Sequence, residues 1–100
     1  MNTRTLETLR NEFEGHIYLS FHSQQEYDAF LAQAEKEGCR FGEHLPTEHL
    51  GKPWDIVSLL DGKQLAFCGT FSHMAYHSGG DNVHRIDYAK YAGGDKDYII

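Results

Sequence analysis

The sequence predicts an α+β domain over residues 1–100, an antiparallel sheet of about four or five strands with one main helix on a face and a short N-terminal helix. Three observations predict it. Ser23-Gln24-Gln25-Glu26 is a capping box, and Tyr27, Phe30, Leu31 and Ala34 follow at i, i+3, i+4 and i+7. Ile17, Leu19 and Phe21 alternate with His16, Tyr18 and Ser20, the period of a half-buried strand. Asp61-Gly62 separates two apolar runs, the strongest short-range hairpin signal.

Taken in order, Leu6, Leu9 and Phe13 fall at helical spacing and Gly15 stops the run, so 4–14 reads as a short amphipathic helix. The alternating strand comes next. In the capping box, Ser23 accepts from the Glu26 amide while Glu26 reaches back to the Ser23 amide. The helix runs over 24–37, with Glu35, Lys36 and Glu37 on its wet side and Gly38 supplying the left-handed residue beyond its end. Cys39-Arg40-Phe41 starts a second strand. Residues 42–53 hold Gly42, Pro46, Gly51 and Pro53 and read as a loop, with room for one helical turn over 46–51.

Trp54–Leu60 and Lys63–Phe71 then pair across Asp61-Gly62, setting Ile56 opposite Phe67, Val57 opposite Ala66 and Ser58 opposite Leu65. Both faces of that hairpin are apolar, so it belongs at the centre of a sheet or under cover on two sides. Residues 72–80 are ambiguous between an irregular stretch and a helical turn. Asn82–Tyr88 reads as a last strand with His84, Ile86 and Tyr88 on one face, and 87–91 could instead turn into a helix ended by Gly93-Gly94. The tail, Tyr98-Ile99-Ile100, is apolar enough to dock.

The formal charge is −6, from fifteen acidic and nine basic residues. That balance opposes direct binding to nucleic acid or to an anionic membrane, which needs a Lys/Arg surface. It suits a basic partner. Met1–Glu14 carries acidic residues where a signal peptide has its apolar stretch. No apolar run approaches the ~20 residues of a membrane span. Cys39 and Cys68 belong to no CxxC, so the reading is a cytoplasmic protein with buried free thiols, a single disulfide being the alternative.

Several constellations carry possible chemistry. His73 and His77 lie at i, i+4, a spacing that offers two imidazoles to zinc from a helix, with His84 or Asp81 as a third ligand. The set lacks the Glu of a zinc protease, and Gly79-Gly80 weakens the helix. Glu43, His44, Glu48 and His49 form a second group of ligand types, as expected of a solvated loop. Cys68 with His73 or His77 is conceivable as a nucleophile pair, but Cys68 sits beside Phe67 and Phe71 as a packed thiol would. Gly79-Gly80-Asp81 and Gly93-Gly94-Asp95 are turns without the Lys-Ser/Thr of a phosphate loop. No complete catalytic motif is present, and no cofactor is expected.

The carboxylates Glu12/Glu14, Glu26/Asp28, Glu35/Glu37 and Asp95/Asp97 recur in pairs two apart. Most such groups form a solvated face, while a convergent set would offer carboxylates to a basic groove. Six tyrosines and Trp54 exceed what a small core needs, and Tyr18, Tyr76, Tyr88 and Tyr91 are expected to be partly exposed. Tyr and Trp dominate interface energetics. The expectation is therefore a non-enzymatic binding surface built from Glu26, Asp28, Glu35, Glu37, Tyr76, Tyr88 and Tyr91. The alternative is a small His-dependent metal protein or hydrolase centred on His73, His77 and His84.

In size, acidity and style the whole chain resembles small proteins encoded by phages and mobile elements, the anti-CRISPR proteins among them. The resemblance is carried by the capped helix Ser23–Glu37, the hairpin Asp55–Phe71 around Asp61-Gly62, and the closing Arg85-Ile86-Asp87-Tyr88 and Asp97-Tyr98-Ile99-Ile100. Anti-CRISPR proteins share no common signature, so no residue acquires a role from it. The resemblance implies a stoichiometric inhibitor of a basic protein or protein–RNA complex, such as a CRISPR effector nuclease.

Overall fold

The computed structural model describes residues 4–67 and 83–100. Helix α1 (Leu6–Glu12) is capped by Thr5, whose hydroxyl accepts from the Thr8 amide, and it buries Leu6 and Leu9. Strand β1 (His16–Ser20) comes after it. Its burial departs from the expected half-buried alternation, because Ile17, Tyr18 and Leu19 are all buried in succession. Consecutive strand residues point to opposite faces, so β1 is covered on both. It lies inside the sheet.

Helix α2 (Gln24–Lys36) starts where the capping box places it, with the Ser23 hydroxyl accepting from the Glu26 amide at 3.2 Å. The Glu26 carboxylate reaches one residue further back than expected, accepting from the His22 amide at 3.1 Å. Tyr27, Phe30, Leu31 and Ala34 face the core. Gly38, at φ +86°, ends the helix; its amide reaches Glu35 O and the Cys39 amide reaches Ala34 O, a Schellman closure.

The expected second strand at 39–41 reduces to isolated bridges, Arg40 with Gln64 and Phe41 with His44. Strands β2 (Val57–Leu60) and β3 (Gln64–Phe67) form the hairpin, with Trp54–Ile56 lying before the first strand. Its register is one residue away from the expected one: Val57 pairs with Phe67, Ser58 with Ala66, Leu59 with Leu65 and Leu60 with Gln64. The cause is the turn, which takes three residues, Asp61–Lys63, instead of two. Both Gly62 and Lys63 have left-handed φ, +71° and +61°. A one-residue slip exchanges the faces of one strand relative to the other. Leu59 and Leu65 thereby share the buried side.

Strand β4 (Val83–Asp87) runs directly into helix α3 (Tyr88–Ala92), so both readings of this segment apply in succession. The sheet order is β3-β2-β1-β4. The expected antiparallel sheet is corrected to a mixed one, since β1 and β4 are parallel, from His16 with Val83 to Ser20 with Asp87. Local patterns cannot reveal a pairing between segments so distant in sequence. The tail docks on β4 through its backbone, the Asp87 amide donating to Tyr98 O and the Ile100 amide to Arg85 O, both at 2.8 Å. The core joins α1, α2, α3 and one sheet face around Leu9, Phe30, Leu31, Val57 and Ile86.

The parallel pairing also brings two helix starts together. Strands β1 and β4 end on the same side of the sheet; β1 reaches the N-terminus of α2 after three residues, and β4 runs directly into α3.

Candidate functional site

Helix α2 carries carboxylates on two flanks. Asp28 and Glu35 are about two turns apart, as Glu26 and Glu37 are about three turns apart. The four expected contact residues thus lie on two flanks: Asp28 and Glu35 both hold the loop, whereas Glu37 holds α1 and Glu26 the β1–α2 connection. Glu37 accepts from the Leu6 amide through both oxygens at 3.0 Å, from the Glu7 amide at 3.3 Å, and from the Gln33 side chain at 2.7 Å. A carboxylate at the end of α2 thereby caps the start of α1.

The other flank organises the loop. Asp28 accepts from the Gly51 amide at 3.1 Å and from Gln24, which also donates to Lys52 O at 2.9 Å. Glu35 accepts from the Thr47 hydroxyl and amide. Inside the loop, Phe41 and His44 exchange two backbone hydrogen bonds at 3.0 Å. Pro46–His49 forms a 3-10 turn with Pro46 buried, the single turn expected there. The Leu45 amide donates to Glu48 at 2.7 Å, and this bond chiefly lowers the Glu48 carboxyl from its ordinary value. His49 packs edge-on against Phe41 and Phe67, each with ring centroids at 4.9 Å. Burial there lowers its pKa and favours the neutral ring.

A backbone fixed at this many points presents definite side chains to solvent. Leu45 is 40% exposed, Leu50 47% and Trp54 40%, and Glu43, Glu48 and Asp55 are exposed among them. Residue type alone assigns this loop to solubility. The signal against that assignment is three large apolar residues among turn formers, where a purely solvating loop needs none.

The tyrosines correct the expected aromatic surface. Tyr18 (3% exposed), Tyr88 (6%) and Tyr91 (2%) are buried. Burial pushes the phenols of Tyr88 and Tyr91 up to about 12. The Tyr91 hydroxyl donates to Thr5 O at 2.7 Å and that of Tyr98 to Glu12 at 2.9 Å, while the Arg4 guanidinium lies over both rings. These rings lock the C-terminal segment to α1. Tyr76 lies outside the described residues.

His73 and His77, and with them Asp81 and Cys68, also lie outside the described residues. His84 donates to Glu14 O at 2.7 Å and packs on Phe13 at 4.7 Å between centroids. Cys39 is a buried free thiol, its pKa raised by burial. His44 and Glu48 approach to 3.5 Å on the surface.

A different histidine meets carboxylates. His22, in the β1–α2 connection, places Nε2 2.7 Å from Asp87 Oδ2. The hydrogen bond to Asp87 raises the His22 pKa above its usual value. Burial pushes the Asp87 carboxyl up, but hydrogen bonds from His22 and the Lys90 amide outweigh it and leave the carboxyl lowered. Glu26 completes a group of three whose ligand atoms all lie within 4.8 Å of one another. Among the described residues this is the group able to hold a metal ion.

No family model matches the chain, nor does any curated protein or solved structure. Among the described residues no helix is long and apolar enough to cross a membrane.

Proposed function

We propose that the protein is a non-enzymatic binding protein that grips a basic partner through the 43–55 loop, and that it inhibits a nucleic-acid-handling complex in doing so. One observation carries this reading: the loop is fixed to α2 by Asp28, Gln24 and Glu35, yet leaves Leu45, Leu50 and Trp54 exposed beside Glu43, Glu48 and Asp55. Exposed apolar groups on a fixed backbone bind with little ordering cost. An apolar centre rimmed by charge is the usual build of an interface. The net charge of −6 adds a field that favours encounter with a cationic surface.

Asp28 and Glu35 keep a part in this reading as positioning residues. A partner that handles nucleic acid supplies the Lys/Arg surface the loop suits, and a CRISPR effector nuclease is one such partner. The test is affinity capture with the tagged wild type and with Leu50→Ser/Trp54→Ala, followed by titration of the recovered nuclease's activity. Recovery by the wild type, loss in the variant, and weakening as salt rises support the reading. Equal recovery by both proteins, or no effect on nuclease activity, removes it.

A further inference from the structure

We infer that His22, Glu26 and Asp87 form a binding site for a first-row divalent metal ion, in the zinc and cobalt class, at the side of the sheet where β1 and β4 end. The site assembles from three places: the β1–α2 connection, the first turn of α2, and the junction of β4 with α3. His22 and Asp87 are 65 positions apart in sequence. The parallel register that sets Ser20 beside Asp87 brings them together.

The donor set suits such an ion. One imidazole and two carboxylates are ligand types that zinc and its neighbours accept, with water completing the shell. Each carboxylate has one oxygen tied to backbone, and the hydrogen bond between Asp87 Oδ2 and His22 Nε2 is the one a metal ion would replace, its proton leaving to solvent. Asp87 Oδ1 accepts from the Lys90 amide at 3.2 Å, and Oδ2 faces the imidazole. Glu26 Oε1 accepts from the His22 amide at 3.1 Å, and among the described residues Oε2 has no hydrogen-bond partner. These amides orient the ligands as outer partners do in metal sites.

Exposure is graded across the group. The Asp87 side chain is 9% exposed and that of His22 63%. The carboxylate is thus fixed at the base, while the imidazole stands in solvent with room for bound water. Ligand atoms around a tetrahedral ion with bonds of ~2.1 Å sit roughly 3.4 Å apart. Reaching that from a group spanning 4.8 Å or less takes rotation of the exposed His22 and half-exposed Glu26 side chains, with Asp87 unmoved. The positive ends of the α2 and α3 dipoles oppose a cation here, and the two carboxylates offset them.

The experiment titrates zinc into the full chain and follows the His22 ring and the Glu26 and Asp87 amides by two-dimensional NMR. Calorimetry supplies the stoichiometry. His22→Gln and Asp87→Asn serve as variants, the second because asparagine still caps α3. Saturable one-to-one binding that shifts His22, weakened roughly tenfold or more in both variants, is the result expected. A cobalt complex with visible absorption bands in the wild type, lost in His22→Gln, would agree. No saturable binding, or an affinity that both folded variants retain because other histidines hold the metal, overturns the site.

Discussion

The C-terminal segment and the 43–55 loop carry similar kinds of side chain and turn them in opposite directions. Around α3, Tyr88, Tyr91 and Tyr98 are buried, and the hydroxyls of Tyr91 and Tyr98 bond to Thr5 O and Glu12 at the two ends of α1. In the loop, Leu45, Leu50 and Trp54 face solvent although each is large and apolar. The difference lies in what holds the backbone. The C-terminal segment is held by its tyrosine rings as well as by backbone bonds to β4, so those rings point inward while Ile99 and Ile100 stay exposed. The loop is held by carboxylates from α2 and by its own turn, so its side chains are free to point out. Residue type alone does not decide exposure; the tether does.

The largest effect expected on the inward-facing side is alkaline unfolding. Unfolded tyrosine ionises near ~10, whereas burial holds Tyr88 and Tyr91 at about 12. A raised acid pKa gives stability that is whole below the unfolded value and lost as pH rises through the folded one. Stability should therefore fall between those two values. Phenolate absorbance of both rings should appear together with unfolding, and their free titration in the folded protein at the ordinary tyrosine value would contradict the burial.

The two flanks of α2 come next. Glu37→Ala leaves the Leu6 and Glu7 amides without their carboxylate and should cost about 1–3 kcal/mol in urea denaturation. Glu37→Gln keeps an acceptor and should cost less. Glu35→Ala acts on the loop instead, so its global cost should be smaller, roughly 1 kcal/mol. Its distinctive mark is faster hydrogen exchange confined to the loop. Equal exchange changes in α1 for both variants would erase the distinction between flanks. Smallest of all, Leu50→Ser should alter stability by no more than ~0.5 kcal/mol, because an exposed side chain is removed. A larger loss would mean that Leu50 holds the fold.

Much of the fold is legible in local sequence. Ser23 and the spacing of Tyr27, Phe30, Leu31 and Ala34 fix α2, since capping and periodicity act over a few residues. The hairpin is legible as a hairpin but not in its register, because Lys63 adopts a left-handed φ that its residue type does not advertise. The parallel β1–β4 pairing is not legible, and the meeting of His22 with Asp87 depends on it. Nor are the duties of Asp28, Glu35 and Glu37: two-apart spacing marks carboxylates on opposite sides of a helix but names no partner for either. The number of tyrosines suggests exposed rings, whereas docking of the C-terminal segment on α1 buries them.

The central claim is that α2 fixes the loop as a ready-made platform. Hydrogen exchange of the amides of 47–52 in the wild type and in Asp28→Ala/Glu35→Ala tests it most directly. Slowed exchange at Thr47, Leu50, Gly51 and Lys52 is expected in the wild type, lost in the double variant while β1 and β2 stay protected. Exchange at the free-peptide rate in the wild type would contradict it.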